Sequence, residues 1–100
     1  MTPEVYTERE AVLERLLHNL APALPEDAFD GVAHYLQHAE LEMAFELFCL
    51  ELITHRTKIE RKEASAIHEL AVALHLDTDA IFDADFWPKL NNFLSEAVQE

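Results

Sequence analysis

One glycine, Gly31, occurs in 100 residues, together with four prolines, Pro3, Pro22, Pro25 and Pro88. Tight turns draw on glycine for backbone of positive φ, so a chain this poor in it has few ways to reverse sharply. That argues against an all-β chain of short hairpins and favours long helices with few joints. Alanine, leucine and glutamate, all good helix formers, dominate the rest. Half of the residues are apolar, enough for one core at a length that needs no metal or disulfide staple. The sequence predicts an all-α fold, a single compact bundle of about five helices with residues 1–100 as one domain.

Apolar periodicity assigns the elements. A first helix runs from about Pro3 to Leu20, with Thr2 as N-cap and Pro3 at N1, and an inward stripe of Tyr6, Leu13, Leu16, Leu17 and Leu20. Pro22 and Pro25 end it. The second opens at Pro25-Glu26-Asp27, whose carboxylates suit the positive end of the helix dipole, and faces inward through Phe29, Val32, Ala33 and Leu36. A turn or kink is expected near His38-Ala39-Glu40, although neither proline nor glycine marks it. The third helix, about Glu40 to His55, carries Leu41, Ala44, Phe45, Phe48 and Leu52, widened by Leu47, Leu50 and Ile53. A helix apolar over most of its girth belongs in the middle of a bundle. Thr57 and Glu60 have capping-box spacing, so the fourth helix starts there or just after Glu60. It continues to about His75, with Ile67, Leu70, Ala71 and Leu74 inward. A linker from Leu76 to Asp85 precedes a last helix near Phe86, lined by Phe86, Leu90, Phe93, Leu94 and Ala97, with Pro88 tolerated in its first turn.

Chemistry-bearing patterns are sparse. His34 and His38 stand at i, i+4, a metal-gripping spacing, but no nearby Cys or His completes a ligand set. The aspartates of 77–85 fail the calcium-loop pattern: counted from Asp77, Phe82 falls at the required glycine and Pro88 at the closing glutamate. Ser65 and Ser95 lie in no nucleophile motif, and Cys49 between Phe48 and Leu50 reads as an inert buried thiol. We therefore expect no catalytic, cofactor-binding or metal-ligating residue, and a protein that is not an enzyme. A lone cysteine forms no intrachain disulfide, Met1-Thr2-Pro3-Glu4 does not resemble a signal peptide, and no apolar run reaches the roughly 18 residues of a membrane span. A cytoplasmic location is expected.

Charge says more. Twenty acidic residues against seven basic ones give a net charge of −13. Such a chain repels phosphate backbones and anionic lipid, so nucleic acid and membranes are poor partners and a basic protein is a good one. From Leu16 to His55 there is no Lys or Arg; from Glu63 to Pro88 there is again none. Glu42 and Glu46 are like charges one helical turn apart, an arrangement that costs about 0.2–0.5 kcal/mol. Acidic stripes kept at that cost fit a surface that meets a basic partner. The expected partner-binding residues are Asp30, Glu40, Glu42, Glu46, Asp79 and Asp83. Rival readings are a structural or homo-oligomeric helical module with apolar contacts around Phe86 and Trp87, and a nucleic-acid mimic that occupies a DNA-binding protein. The oligomeric state stays open, as does a role for the basic residues of 56–62.

Two stretches carry a resemblance. The segment His34-Tyr35-Leu36-Gln37-His38-Ala39-Glu40-Leu41-Glu42-Met43-Ala44-Phe45-Glu46 resembles the helix-turn-helix part of small immunity proteins of bacterial polymorphic toxin systems, the MafI-type group. Ala73-Leu74-His75-Leu76-Asp77 and Phe82-Asp83-Ala84-Asp85-Phe86-Trp87-Pro88 resemble the turn and aromatic C-terminal segment of the same proteins. The resemblance leads to an expectation of glycine near Ala39 and just before Leu76, where this chain has His75. It implies a cytoplasmic antidote that binds and blocks a cognate toxin, often a nuclease, whose basic surface an acidic inhibitor would suit.

Overall fold

The computed structural model describes the backbone of residues 4–99 and the side chains of residues 8–98. Five α-helices form among the described residues: α1 (Glu4–Leu20), α2 (Glu26–Gln37), α3 (Leu41–Thr54), α4 (Arg61–Ala73) and α5 (Phe86–Ala97). Capping by Thr2 and Pro3 and the burial of Tyr6 lie outside the described residues.

The prolines act where the chain chemistry requires. A short 3₁₀ turn, Ala21–Ala23, carries Pro22 and closes α1, and Pro25 in extended backbone is the N-cap of α2. Pro88 takes the third position of α5, where an intrahelical N–H is not yet needed. Helix α4 is capped by a reciprocal box, the Glu60 side chain to the third backbone N–H and the Glu63 side chain to the N–H of Glu60 at 2.9 Å. The box therefore falls three residues beyond Thr57, which is buried with its hydroxyl unpartnered. Ile59–Glu60 (β1) also pairs in parallel with Val98–Gln99 (β2), a two-residue clasp that the helical periodicity does not foresee.

Helix α3 lies centrally, packed on α1, α2 and α5, with Leu41, Ala44, Phe45, Phe48, Cys49 and Leu52 buried. The expected inward stripes of α4 and α5 are buried in full, as are Leu13, Leu16, Leu17 and Leu20 of α1. Helix α2 is rotated from expectation. Ala28 and Val32 face the core, while Phe29 is one of the most exposed large apolar residues. The reason is Gly31: a Cβ there would stand 3.3 Å from Leu47 Cδ2, so the small-residue face of α2 lets it approach α3 closely and turns Phe29 outward.

The joints are built without glycine. Helices α2, α3 and α4 each end in a Schellman motif, with paired backbone bonds Glu40 N–H to Tyr35 O at 2.9 Å, Thr57 N–H to Leu52 O at 3.1 Å and Leu76 N–H to Ala71 O at 2.9 Å. The residue at the left-handed position is Ala39 (φ 58°), Arg56 (φ 49°) or His75 (φ 62°). The first and last are the two positions at which the resemblance leads to an expectation of glycine. Left-handed backbone costs an L-residue about 1–2 kcal/mol, partly offset by the lower unfolded-state entropy of a non-glycine residue. Ala39→Gly and His75→Gly should each stabilise the fold by about 0.5–1 kcal/mol, read as a higher urea midpoint at unchanged slope. A lower midpoint would contradict the left-handed joint.

Candidate functional site

The residues of 76–85 reverse the chain between α4 and α5 without regular structure. An unstructured segment must find partners for its backbone N–H groups. Here one side chain supplies them. Glu46, fully buried on α3, accepts the N–H of Ile81 on Oε1 at 2.5 Å and those of Phe82 and Asp83 on Oε2 at 2.7 and 2.9 Å. Three consecutive N–H groups converging on one carboxylate form an anion nest, filled from within the molecule.

A second layer fixes the far side of the loop. Asp83 Oδ1 accepts the N–H of Asp85 at 2.8 Å, its Oδ2 meets Lys89 Nζ at 2.6 Å, and its carbonyl accepts the N–H of Phe86 at 3.0 Å. The loop thus feeds directly into the start of α5. The hydrogen bond from Lys89, followed by that from the Asp85 N–H, holds the Asp83 carboxyl below the ordinary aspartate range.

Held this way, the loop projects Ile81 and Phe82, each 45% exposed. The Phe82 ring meets Tyr35 of α2 at 5.7 Å between centroids, and the Tyr35 ring touches His34, which in turn stands 4.6 Å from His38. The result is an aromatic and aliphatic patch made by two distant segments. Asp79 and Asp85 are exposed on the same loop, with Asp77 and Asp83 half-buried.

Of the six residues expected to bind a partner, Asp30, Glu40, Glu42 and Asp79 are exposed and Asp83 is half-buried. Glu46 is corrected: it is inside, committed to the loop, and offers no surface to a partner. The like-charge pair with Glu42 is therefore not a surface stripe, since only Glu42 faces solvent. The structure brings Glu46, Asp83 and the Asp79 segment together; Asp30 stands five residues before Tyr35 on α2, and Glu42 one turn before Glu46 on α3. Phe86 is buried in the core, as the inward stripe of the last helix predicts, so it is not open to the contact that the homo-oligomeric reading would draw on, and Trp87 is half-buried with its ring 5.3 Å from His68. Tyr35 escaped sequence reasoning, because its pairing with Phe82 depends on where the loop folds back. The signal for Glu46 was available: a carboxylate flanked by Phe45 and Leu47 in a helix apolar on nearly all sides.

Cys49 is buried one turn from Glu46, and burial, reinforced by that carboxylate, pushes its thiol well above the ordinary range. Among the described residues, no group of three or more His, Cys, Asp or Glu stands together in a way that would hold a metal ion, and no helix is long and apolar enough to cross a membrane.

No family model, curated protein or solved structure matches this chain. The functional reading therefore rests on the residues themselves.

Glu46→Ala should cost about 3 kcal/mol, because it leaves several partly buried N–H groups without an acceptor. Amide exchange at Ile81, Phe82 and Asp83 should accelerate more than at α3 or α5 amides; uniform acceleration would contradict a local role. For Asp83 the sign follows from its lowered folded value: the ion pair's stabilisation is present above the unfolded-state pKa and lost as pH falls through the folded one. Carboxyl NMR should place its midpoint below that of an ordinary aspartate, and Lys89→Met should raise it.

Proposed function

We propose that this protein is an acidic protein-binding module that recognises a basic partner through the 79–83 loop and the neighbouring α2–α3 surface. The carrying observation is the exposed Ile81–Phe82 pair, its Phe82 ring tilted against Tyr35, set among aspartates. Interfaces concentrate energy in a few aromatic or aliphatic anchors, while surrounding charges set encounter rate and partner choice. A hydrophobic anchor pinned from below and flanked by Asp77, Asp79 and Asp85 has both parts. The net charge of −13 adds long-range attraction for a basic surface.

Within that class we favour an antidote of the kind the sequence resembles: an immunity protein, acting in the cytoplasm without catalysis, that covers the phosphate-binding surface of a nuclease-like toxin. A nuclease must present cations to hold its substrate, so an acidic inhibitor with a small apolar anchor competes for the same surface. A nucleic-acid mimic directed at another DNA-binding protein would share this chemistry and differ only in the partner. The homo-oligomeric alternative loses one of its contacts, since Phe86 is internal.

The test is a photo-crosslinking residue placed at Phe82, with Glu69 on α4 as the control position. A basic protein crosslinked from Phe82 alone, whose purified activity is blocked at one-to-one stoichiometry, is the expected result. Crosslinks only to further copies of this chain would refute it. With that partner in hand, Glu42→Lys combined with Asp79→Lys should slow association about tenfold at low salt and flatten its salt dependence. Phe82→Ala should instead speed dissociation.

A further inference from the structure

The cations of this acidic chain are not merely scattered. Arg56 and Lys58, from the joint after α3, and Lys89, from α5, line one open cleft of about 600 Å³ floored by Ile53, Phe93 and Ala97. Three of the seven basic residues thus converge from segments more than thirty positions apart. Arg56 and Lys58 have no carboxylate ion-paired to them among the described residues, in a chain with twenty acidic side chains. Arg56 is also held in left-handed backbone (φ 49°), a conformation that fixes where its side chain leaves the joint.

We propose that this cleft receives an acidic, apolar-flanked peptide segment of a protein partner: a carboxylate against Arg56 and Lys58, with a neighbouring large apolar side chain on the Phe93 floor. The floor argues for an apolar component, because a site for a bare anion would gain nothing from Ile53, Phe93 and Ala97. The rim argues for a single carboxylate rather than a polyanion. Lys89 is already paired with Asp83 at 2.6 Å, and Glu96 also lines the cleft, so the charge left over is small. A nucleic-acid strand would in addition meet the repulsion of the whole chain. Asn92 supplies an amide at the edge that donates and accepts. Lys89 joins the cleft to the acidic loop through Asp83, so one partner with mixed charge can engage both. The cleft nevertheless stands or falls separately from the antidote reading, because its chemistry has the opposite sign.

The experiment titrates the ¹⁵N-labelled full chain with a blocked octapeptide that carries one glutamate beside a leucine and a phenylalanine in an otherwise glycine and serine sequence. Three comparison probes are the same peptide with lysine for glutamate, inorganic phosphate, and a short single-stranded oligonucleotide. The expected result is amide shifts confined to 53–58 and 89–97 with the glutamate peptide alone. Binding should weaken about tenfold or more in the Arg56→Glu, Lys58→Glu double variant with its melting temperature unchanged. Lys58→Glu alone, which leaves the left-handed joint untouched, should weaken it in the same direction. Shifts elsewhere, no shifts, or equal binding of the lysine peptide would overturn the proposal. Equal or tighter binding of phosphate or the oligonucleotide at the same amides would overturn it in favour of a polyanion site.

Discussion

A buried carboxylate without a cation beside it normally carries a prohibitive desolvation cost. Glu46 meets that cost with three backbone N–H groups in a row, and almost everything distinctive about the surface follows. The bond set ties residues 35–37 positions apart in sequence, so it closes the connection between α4 and α5 against the central helix. It leaves Ile81 and Phe82 no freedom to fold inward, and brings Phe82 against Tyr35. Hydrogen bonds to charged acceptors are stronger than neutral ones, and one carboxylate orders three residues of loop at once. Exposed apolar side chains are the consequence, and pre-organising them would lower the entropy cost of the binding proposed above.

The helices themselves were legible because their stripes follow simple periodicity. Ile67, Leu70, Ala71 and Leu74 of α4 and Phe86, Leu90, Phe93, Leu94 and Ala97 of α5 are all buried where spacing puts them. Helix α3 was legible as central for the same reason. Helix α2 was not, because Phe29 fits the period as well as Ala28 does, and close packing at Gly31 decides between them. The β1–β2 clasp joins two residues to two others 39 positions away, Ile59 to Val98 and Glu60 to Gln99, and carries too little local signal to be read from the chain. The joint expected near His38-Ala39-Glu40 is there, with Ala39 in left-handed backbone and no glycine to mark it.

The site was legible only in outline. Acidic residues could be enumerated, but periodicity does not distinguish a solvated glutamate from one that serves the fold. Glu42 and Glu46 share a helix face and differ entirely in role, because a loop from 35 residues downstream covers one and not the other. Asp83 illustrates the same point, since its carboxylate is divided between Lys89 and the Asp85 N–H before any partner arrives. The basic residues of 56–62 likewise separate only in three dimensions: Arg56 and Lys58 turn to the cleft with Lys89, while Lys62 pairs with Glu60.

Through its bonds to three consecutive N–H groups, Glu46 is expected to hold the 81–83 segment rigid in the free protein. Backbone ¹⁵N order parameters of the isolated protein test it most directly. Values for Ile81, Phe82 and Asp83 near about 0.85, equal to those of the flanking helices, are what the account predicts. Values below about 0.6 at those three amides would contradict it. The loop would then be free in solution, and the Ile81–Phe82 patch would not exist as a surface until something else ordered it.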